Sequence, residues 1–220
     1  MLIYITAIGS GHSAKIPIGM KKYNGIIGII EETKAMGKRY KSQEMDQDKV
    51  FDFLYSNSQF EVIEKCIIKA DESIYSKIKQ LLDTILTIIH KYPNAQFQIE
   101  LSQGYKELGH ILTIVGRLLY KHIHSITFLR YDGSLVKFPN SEFTISKEKF
   151  EVLKGFYEGT KDTQFNGRIA TNKYMHSGSK HRKYIYAVLK WCKEQGIMDE
   201  NNYVTDFGRL LLEYKNLVVK

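Results

Sequence analysis

Two short loops carry the side chains best placed for chemistry. The first, Ser102-Gln103-Gly104-Tyr105-Lys106-Glu107, sets a hydroxyl, a glycine and a fixed positive charge directly ahead of an apolar helical stretch. A turn that opens a helix presents backbone N–H groups, and such groups hold anions and phosphates. Gly104 admits a backbone shape that a larger residue resists, and Lys106 adds charge to the same turn. The second loop, Gly9-Ser10-Gly11-His12-Ser13, is a glycine-flanked serine that follows an apolar run. It does not complete G-x-G-x-x-G, because Ala14 stands at the last position, and it is not a Walker loop. Gly-Ser-Gly also occurs as a plain turn.

The elements that must position these loops are read from periodicity. Apolar runs at 2–8, 25–30, 60–68, 97–101, 125–129 and 135–138 predict strands, the last of them antiparallel to its neighbour. A charged segment over 38–55 has helical spacing and predicts a surface helix. Residues 72–90 predict a helix capped by Asp71, with Ile74, Ile78, Leu81, Leu82, Ile85, Ile88 and Ile89 on one stripe. After Lys106, the residues Leu108, Ile111, Leu112, Val115 and Leu119 recur at helical spacing. Gly109 and Gly116 lie seven apart, where a sheet or helix can approach closely. Strands alternating with helices predict an α/β domain, a parallel sheet with helices on both faces.

The pattern changes at Phe138-Pro139-Asn140-Ser141, which divides the chain into domains 1–139 and 140–220. The second domain predicts helices at 146–157, 168–175 and 179–194, the last ended by Gly196. Residues 197–198 and 203–204 flank the turn Asp199-Glu200-Asn201-Asn202 as a β-wing, and Thr205 caps a final helix over 206–214. That order is a winged helix-turn-helix, an α+β fold. Between 163 and 193 stand seven basic residues, Arg168, Lys173, Lys180, Arg182, Lys183, Lys190 and Lys193, and no acidic one. His181, Tyr184 and Tyr186 accompany them, while Ile185, Val188, Leu189 and Cys192 form an apolar stripe for the core. A basic helix face with aromatic neighbours suits the major groove of double-stranded DNA, and Arg168, Lys173, Lys180, Arg182, Lys183, Tyr186 and Lys190 are its candidate contacts. The same face also fits a dimerisation module with solvated lysines.

Composition bounds the function. The chain has 220 residues, a net charge of +8 and a mean hydropathy of -0.30, which favours polyanionic partners. No apolar run is long enough to span a membrane. The first residues enter a strand with no leader pattern, which predicts an intracellular, cytoplasmic protein. Cys66 and Cys192, far apart in apolar stretches, predict buried free thiols rather than a disulfide or a zinc site. His122 and His124 lack further ligands nearby, so no metal and no cofactor are expected.

With both halves in place the chain resembles the CRISPR-associated Rossmann-fold (CARF) proteins, in particular the archaeal class with a C-terminal winged helix. Ile8-Gly9-Ser10-Gly11 is similar to that family's first loop, and Leu101-Ser102-Gln103-Gly104-Tyr105-Lys106 to its second motif. Val204-Thr205-Asp206-Phe207-Gly208-Arg209-Leu210 resembles the wing and last helix of archaeal winged-helix regulators. The resemblance implies a homodimer with a shared cleft for a cyclic oligoadenylate, foremost cyclic tetra-adenylate. The ligand residues would be Gly9, Ser10, Gly11, Ser102, Gln103, Gly104 and Lys106. Two functions stay open: a DNA-binding transcription regulator, or a metal-independent ring nuclease with Ser10 and Lys106 as its catalytic groups. An effector ribonuclease pair at Arg117 and His122 has suitable spacing, but it lacks a polar residue after the arginine and lies on an apolar helix.

Overall fold

The computed structural model describes residues 1–8, 22–32, 51, 60–102, 106–129, 134–138, 140–161 and 182–220. They form two compact units, Met1–Glu142 and Phe143–Lys220.

The first unit is built on a six-stranded sheet: β1 (Leu2–Ala7), β2 (Gly25–Glu32), β3 (Val62–Lys69), β4 (Gln96–Glu100), β5 (Ile123–Leu129) and β6 (Leu135–Phe138). The spatial order is β3-β2-β1-β4-β5-β6. The first five strands run parallel, and β6 pairs antiparallel with β5 as expected. Ile3, Ile5, Ile26, Ile27, Phe97 and Ile99 are wholly buried, because central parallel strands are covered on both faces.

Helix α1 (Ile74–Lys91) follows β3, and helix α2 (Lys106–Leu118) follows β4. The stripes read from their periodicity are buried at Ile78, Leu81, Leu82, Ile85 and Ile88 on α1, and at Leu108, Ile111, Leu112 and Val115 on α2, but Ile74, at the first residue of α1, is exposed and Ile89 only half-buried. The cap of α1 differs from expectation. Ser73, not Asp71, accepts the Ser76 N–H, at 3.2 Å, so the helix starts two residues later than predicted. The glycine pair on α2 also splits in role. A Cβ on Gly116 would lie 2.7 Å from Ile126 Cδ1, so this glycine lets the helix sit down on the sheet, whereas Gly109 faces open space.

Register divides the sheet's faces. Gly116 of α2 approaches Ile99 and Ile126, and Ile5 is the partner of Ile99, so these residues share the α2 face. The opposite side holds Tyr4, Ile26 and Ile30 packed with Ile8, Tyr23 and Phe51. On that side β1, β4 and β5 also carry Thr6, Gln98, Glu100, Ser125 and Thr127, all buried. The central strands are therefore apolar on one face and partly polar on the other. Of the segment 38–55, only Phe51 is among the described residues.

The second unit contains α3 (Lys147–Lys161), α4 (Arg182–Glu194), α5 (Asp206–Glu213) and the single turn α6 (Lys215–Val218). Helix α3 runs four residues beyond the predicted end, and the helix expected at 168–175 lies outside the described residues. Gly196, at φ +68°, ends α4 in the left-handed conformation that favours glycine. Met198 and Val204 then form one antiparallel bridge. Thr205 caps α5 by accepting the Gly208 N–H at 3.2 Å. A parallel bridge between Ile145 and Val219 ties the start of the unit to its end.

Candidate functional site

The strand order places a topological switch between β1 and β4, because the chain winds outward in opposite directions on either side of them. In open α/β sheets the crevice for a ligand lies at the carboxyl ends of the strands at that point. Here those ends carry Thr6 and Glu100, which are register partners. The Thr6 hydroxyl donates to Glu100 Oε2 at 3.2 Å. Glu100 Oε1 accepts the Ser102 N–H at 2.7 Å, where the chain leaves β4 for the loop ahead of α2. Glu100 is 3% exposed and Thr6 is 4% exposed. Below them the Gln98 amide donates to Thr127 Oγ1 at 3.4 Å, and that hydroxyl donates to the Ile99 carbonyl at 3.2 Å. Buried polar atoms of this kind are costly unless paired. Burial first, then the Glu100 charge, hold the Tyr4 phenol well above its ordinary range, so it stays a neutral hydroxyl.

A second charged group braces the start of α2. Lys77, in the buried stripe of α1, donates to Glu107 Oε1 at 2.7 Å and to Glu31 Oε1 at 3.4 Å. Its side chain is 2% exposed. Burial opposes its charge, but the hydrogen bond and charge of Glu107, together with Glu31, outweigh burial and raise its pKa. Glu107 lies in the first turn of α2, where a carboxylate also complements the helix dipole. The Lys77 ion pairs thus tie the ends of β2, α1 and α2 together beside Lys106.

Of the ligand residues read from sequence, Ser102 lies at the end of β4 and Lys106 opens α2, exposed. Among the described residues no carboxylate is within bridging distance of the Lys106 ammonium. Gly9, Ser10, Gly11, Gln103 and Gly104 lie outside the described residues. Sequence reasoning missed Thr6, Glu100, Glu31 and Lys77. Its available signals were the i, i+2 polar pairs Gln98/Glu100 and Ser125/Thr127 in strands read as apolar, and a lysine beside Ile78 in a core stripe. Among the described residues no group of His, Cys, Asp and Glu could hold a metal ion, and no helix is long and apolar enough to cross a membrane.

The chain superposes on Enterococcus italicus Csm6 bound to cyclic hexa-2'-fluoro-hexa-dAMP with a TM-score of 0.51 and 11% sequence identity, covering 90% of this chain. The arrangement is a Rossmann-like α/β fold. The chain spans 56% of the Csm6 chain, so the match extends over little more than half of that protein. At this identity the likeness is one of fold. No family model matches the chain, and no curated protein matches it by sequence.

In the second unit, α4 buries Ile185, Val188, Leu189 and Cys192, the stripe read from sequence. Both cysteines are free and buried, and burial pushes the Cys192 thiol up to about 12, which keeps it unreactive. The outer face of α4 shows Lys183, Tyr186 and Lys190 to solvent, with Tyr186 51% exposed. Lys190 lies 3.9 Å from Glu194, a solvated pair. Lys193 instead turns to the hairpin, donating to the Glu200 carbonyl at 2.7 Å and lying 3.9 Å from its carboxylate. It is therefore a structural lysine rather than part of a binding face. Arg182 opens α4, while Arg168, Lys173 and Lys180 lie outside the described residues.

Proposed function

We propose that the chain is a CRISPR-associated, homodimeric sensor of cyclic oligoadenylate, foremost cyclic tetra-adenylate, that binds double-stranded DNA through a C-terminal winged helix to regulate transcription. The observation that carries the reading is the corner at the sheet's switch point. There, Ser102 follows β4 and Lys106 opens α2 with its side chain in solvent, in a fold like that of Csm6, which was captured with a cyclic oligonucleotide bound. Gly9, Ser10, Gly11, Ser102, Gln103, Gly104 and Lys106 form the ligand loops, with amides, hydroxyls and the ammonium meeting phosphates. A two-fold ligand suits an isologous dimer.

For the second unit, the support is the order α3, α4, short hairpin, α5, together with the solvent-facing Lys183, Tyr186 and Lys190. Arg182 and Lys183 start the helix that enters the major groove, with Arg168, Lys173 and Lys180 as further basic contacts. The ligand biases the placement of two such helices in a dimer. The test is an electrophoretic shift of the protein's own upstream DNA, with and without cyclic tetra-adenylate. A shift altered by the ligand supports the regulator. No shift in either condition, with the labelled ring cut in the absence of metal, overturns it in favour of a ring nuclease using Ser10 and Lys106.

A further inference from the structure

Among the described residues Glu100, the buried carboxylate at the switch point, forms no salt bridge, and its hydrogen bonds come from the Thr6 hydroxyl and the Ser102 N–H. A charged side chain only 3% exposed is expensive to keep, and a leucine in a parallel strand would cost less. The contact it makes is specific in place. Leu101 still belongs to the sheet, its N–H donating to the Thr127 carbonyl at 2.9 Å, while the next amide, Ser102, turns to the Glu100 side chain instead of to a strand. The carboxylate therefore fixes the residue at which the chain leaves the sheet for the loop ahead of α2. Thr6 fixes the carboxylate in turn, from the neighbouring strand end. Gln98, two residues earlier on the same face, donates to Thr127 Oγ1 rather than to Ser102.

We propose that Glu100 is a positioning residue for ligand binding: held by Thr6, it clamps the Ser102 amide, so that this amide is not itself a phosphate donor and the chain leaving β4 is held in place for Lys106 to meet the phosphate. This rests on the ligand loop assigned above.

The experiment compares wild type with Glu100→Ala, Glu100→Gln, Thr6→Val and the control Gln98→Met, using labelled cyclic tetra-adenylate and amide hydrogen exchange at Ser102 without ligand. A glutamine can still accept from Ser102 and donate to Thr6, whose hydroxyl already lies 3.3 Å from the Ala7 carbonyl. Glu100→Ala should lose Ser102 protection and weaken binding about tenfold or more, the scale of one lost hydrogen bond in the loop. Glu100→Gln should restore both, and Thr6→Val should fall between. Gln98→Met should lower the unfolding midpoint while leaving affinity unchanged. If Glu100→Ala folds and binds as wild type does, or if Gln98→Met weakens binding as much as Glu100→Ala does, the proposal is wrong. Failure of wild type to bind the ring defeats the ligand assignment instead, and Ser102 exchange still decides whether Glu100 holds the amide.

Discussion

Replacing Lys77 with methionine keeps the length and burial of its stem but removes the ammonium that Glu31 and Glu107 share. The Glu107 side chain is 46% exposed, so losing that contact should cost no more than about 1 kcal/mol. Glu31 is different: its side chain is 14% exposed, and its Oε2 has no hydrogen-bond partner among the described residues. Leaving it without the lysine should cost about 2–3 kcal/mol. The ammonium's own desolvation is recovered in the mutant and offsets part of this, leaving about 1–3 kcal/mol. Urea unfolding followed by circular dichroism should therefore show the midpoint falling by roughly 0.5–1.5 M. The pH dependence gives a second check. The folded pKa of Lys77 is raised, so its stabilisation is complete below the unfolded value of about 10.4 and is lost as pH rises through the folded value. The difference between wild type and Lys77→Met should be flat from pH 7 to about 10 and shrink above that. Adding Glu31→Gln to Lys77→Met should recover much of the loss. A midpoint unchanged at pH 7, or a difference that does not shrink as pH rises well above 10, would refute the reasoning.

Other outcomes follow from local geometry. Gly208→Ala should destabilise by about 1–3 kcal/mol despite alanine's better helix propensity, because its Cβ would press on the Ile197 carbonyl and on Val204; Gly109→Ala, which meets nothing, should stabilise by up to ~1 kcal/mol in the same thermal melts. Thr205→Ala should cost about 1 kcal/mol through the lost cap on Gly208. In DNA binding, Lys183→Ala should lower the slope of log affinity against log salt by about 1, whereas Lys193→Ala should leave it unchanged because that lysine serves the hairpin. Equal slopes for the two variants would contradict the assignment of roles on α4.

Much of the first unit was legible because its signals are local. Period-2 and period-3.6 apolar patterns placed β1 to β6, α1 and α2 to within about two residues at most ends. The misses are long-range. Glu100 reads as one polar residue in a strand until Thr6, ninety-four positions away, is known to be its partner. Lys77 reads as a surface charge until Glu31 and Glu107 are brought to it by the crossover of the sheet. Gly109 and Gly116 lie on nearly the same side of the helix, yet only Gly116 meets the sheet, while Gly109, in the first turn, faces open space. In the second unit, Lys193 has the sequence context of a DNA contact, but the hairpin after Gly196 folds back and takes it.

The central claim, that the Ser102–Lys106 turn meets the phosphates of a cyclic oligoadenylate, is tested most directly by titrating labelled cyclic tetra-adenylate into wild type and Lys106→Ala. Wild type should bind, and the variant should bind more weakly by about 1.5–3 kcal/mol, the worth of one charge-assisted phosphate contact. Equal affinity in the two proteins, or no binding by wild type, would contradict it.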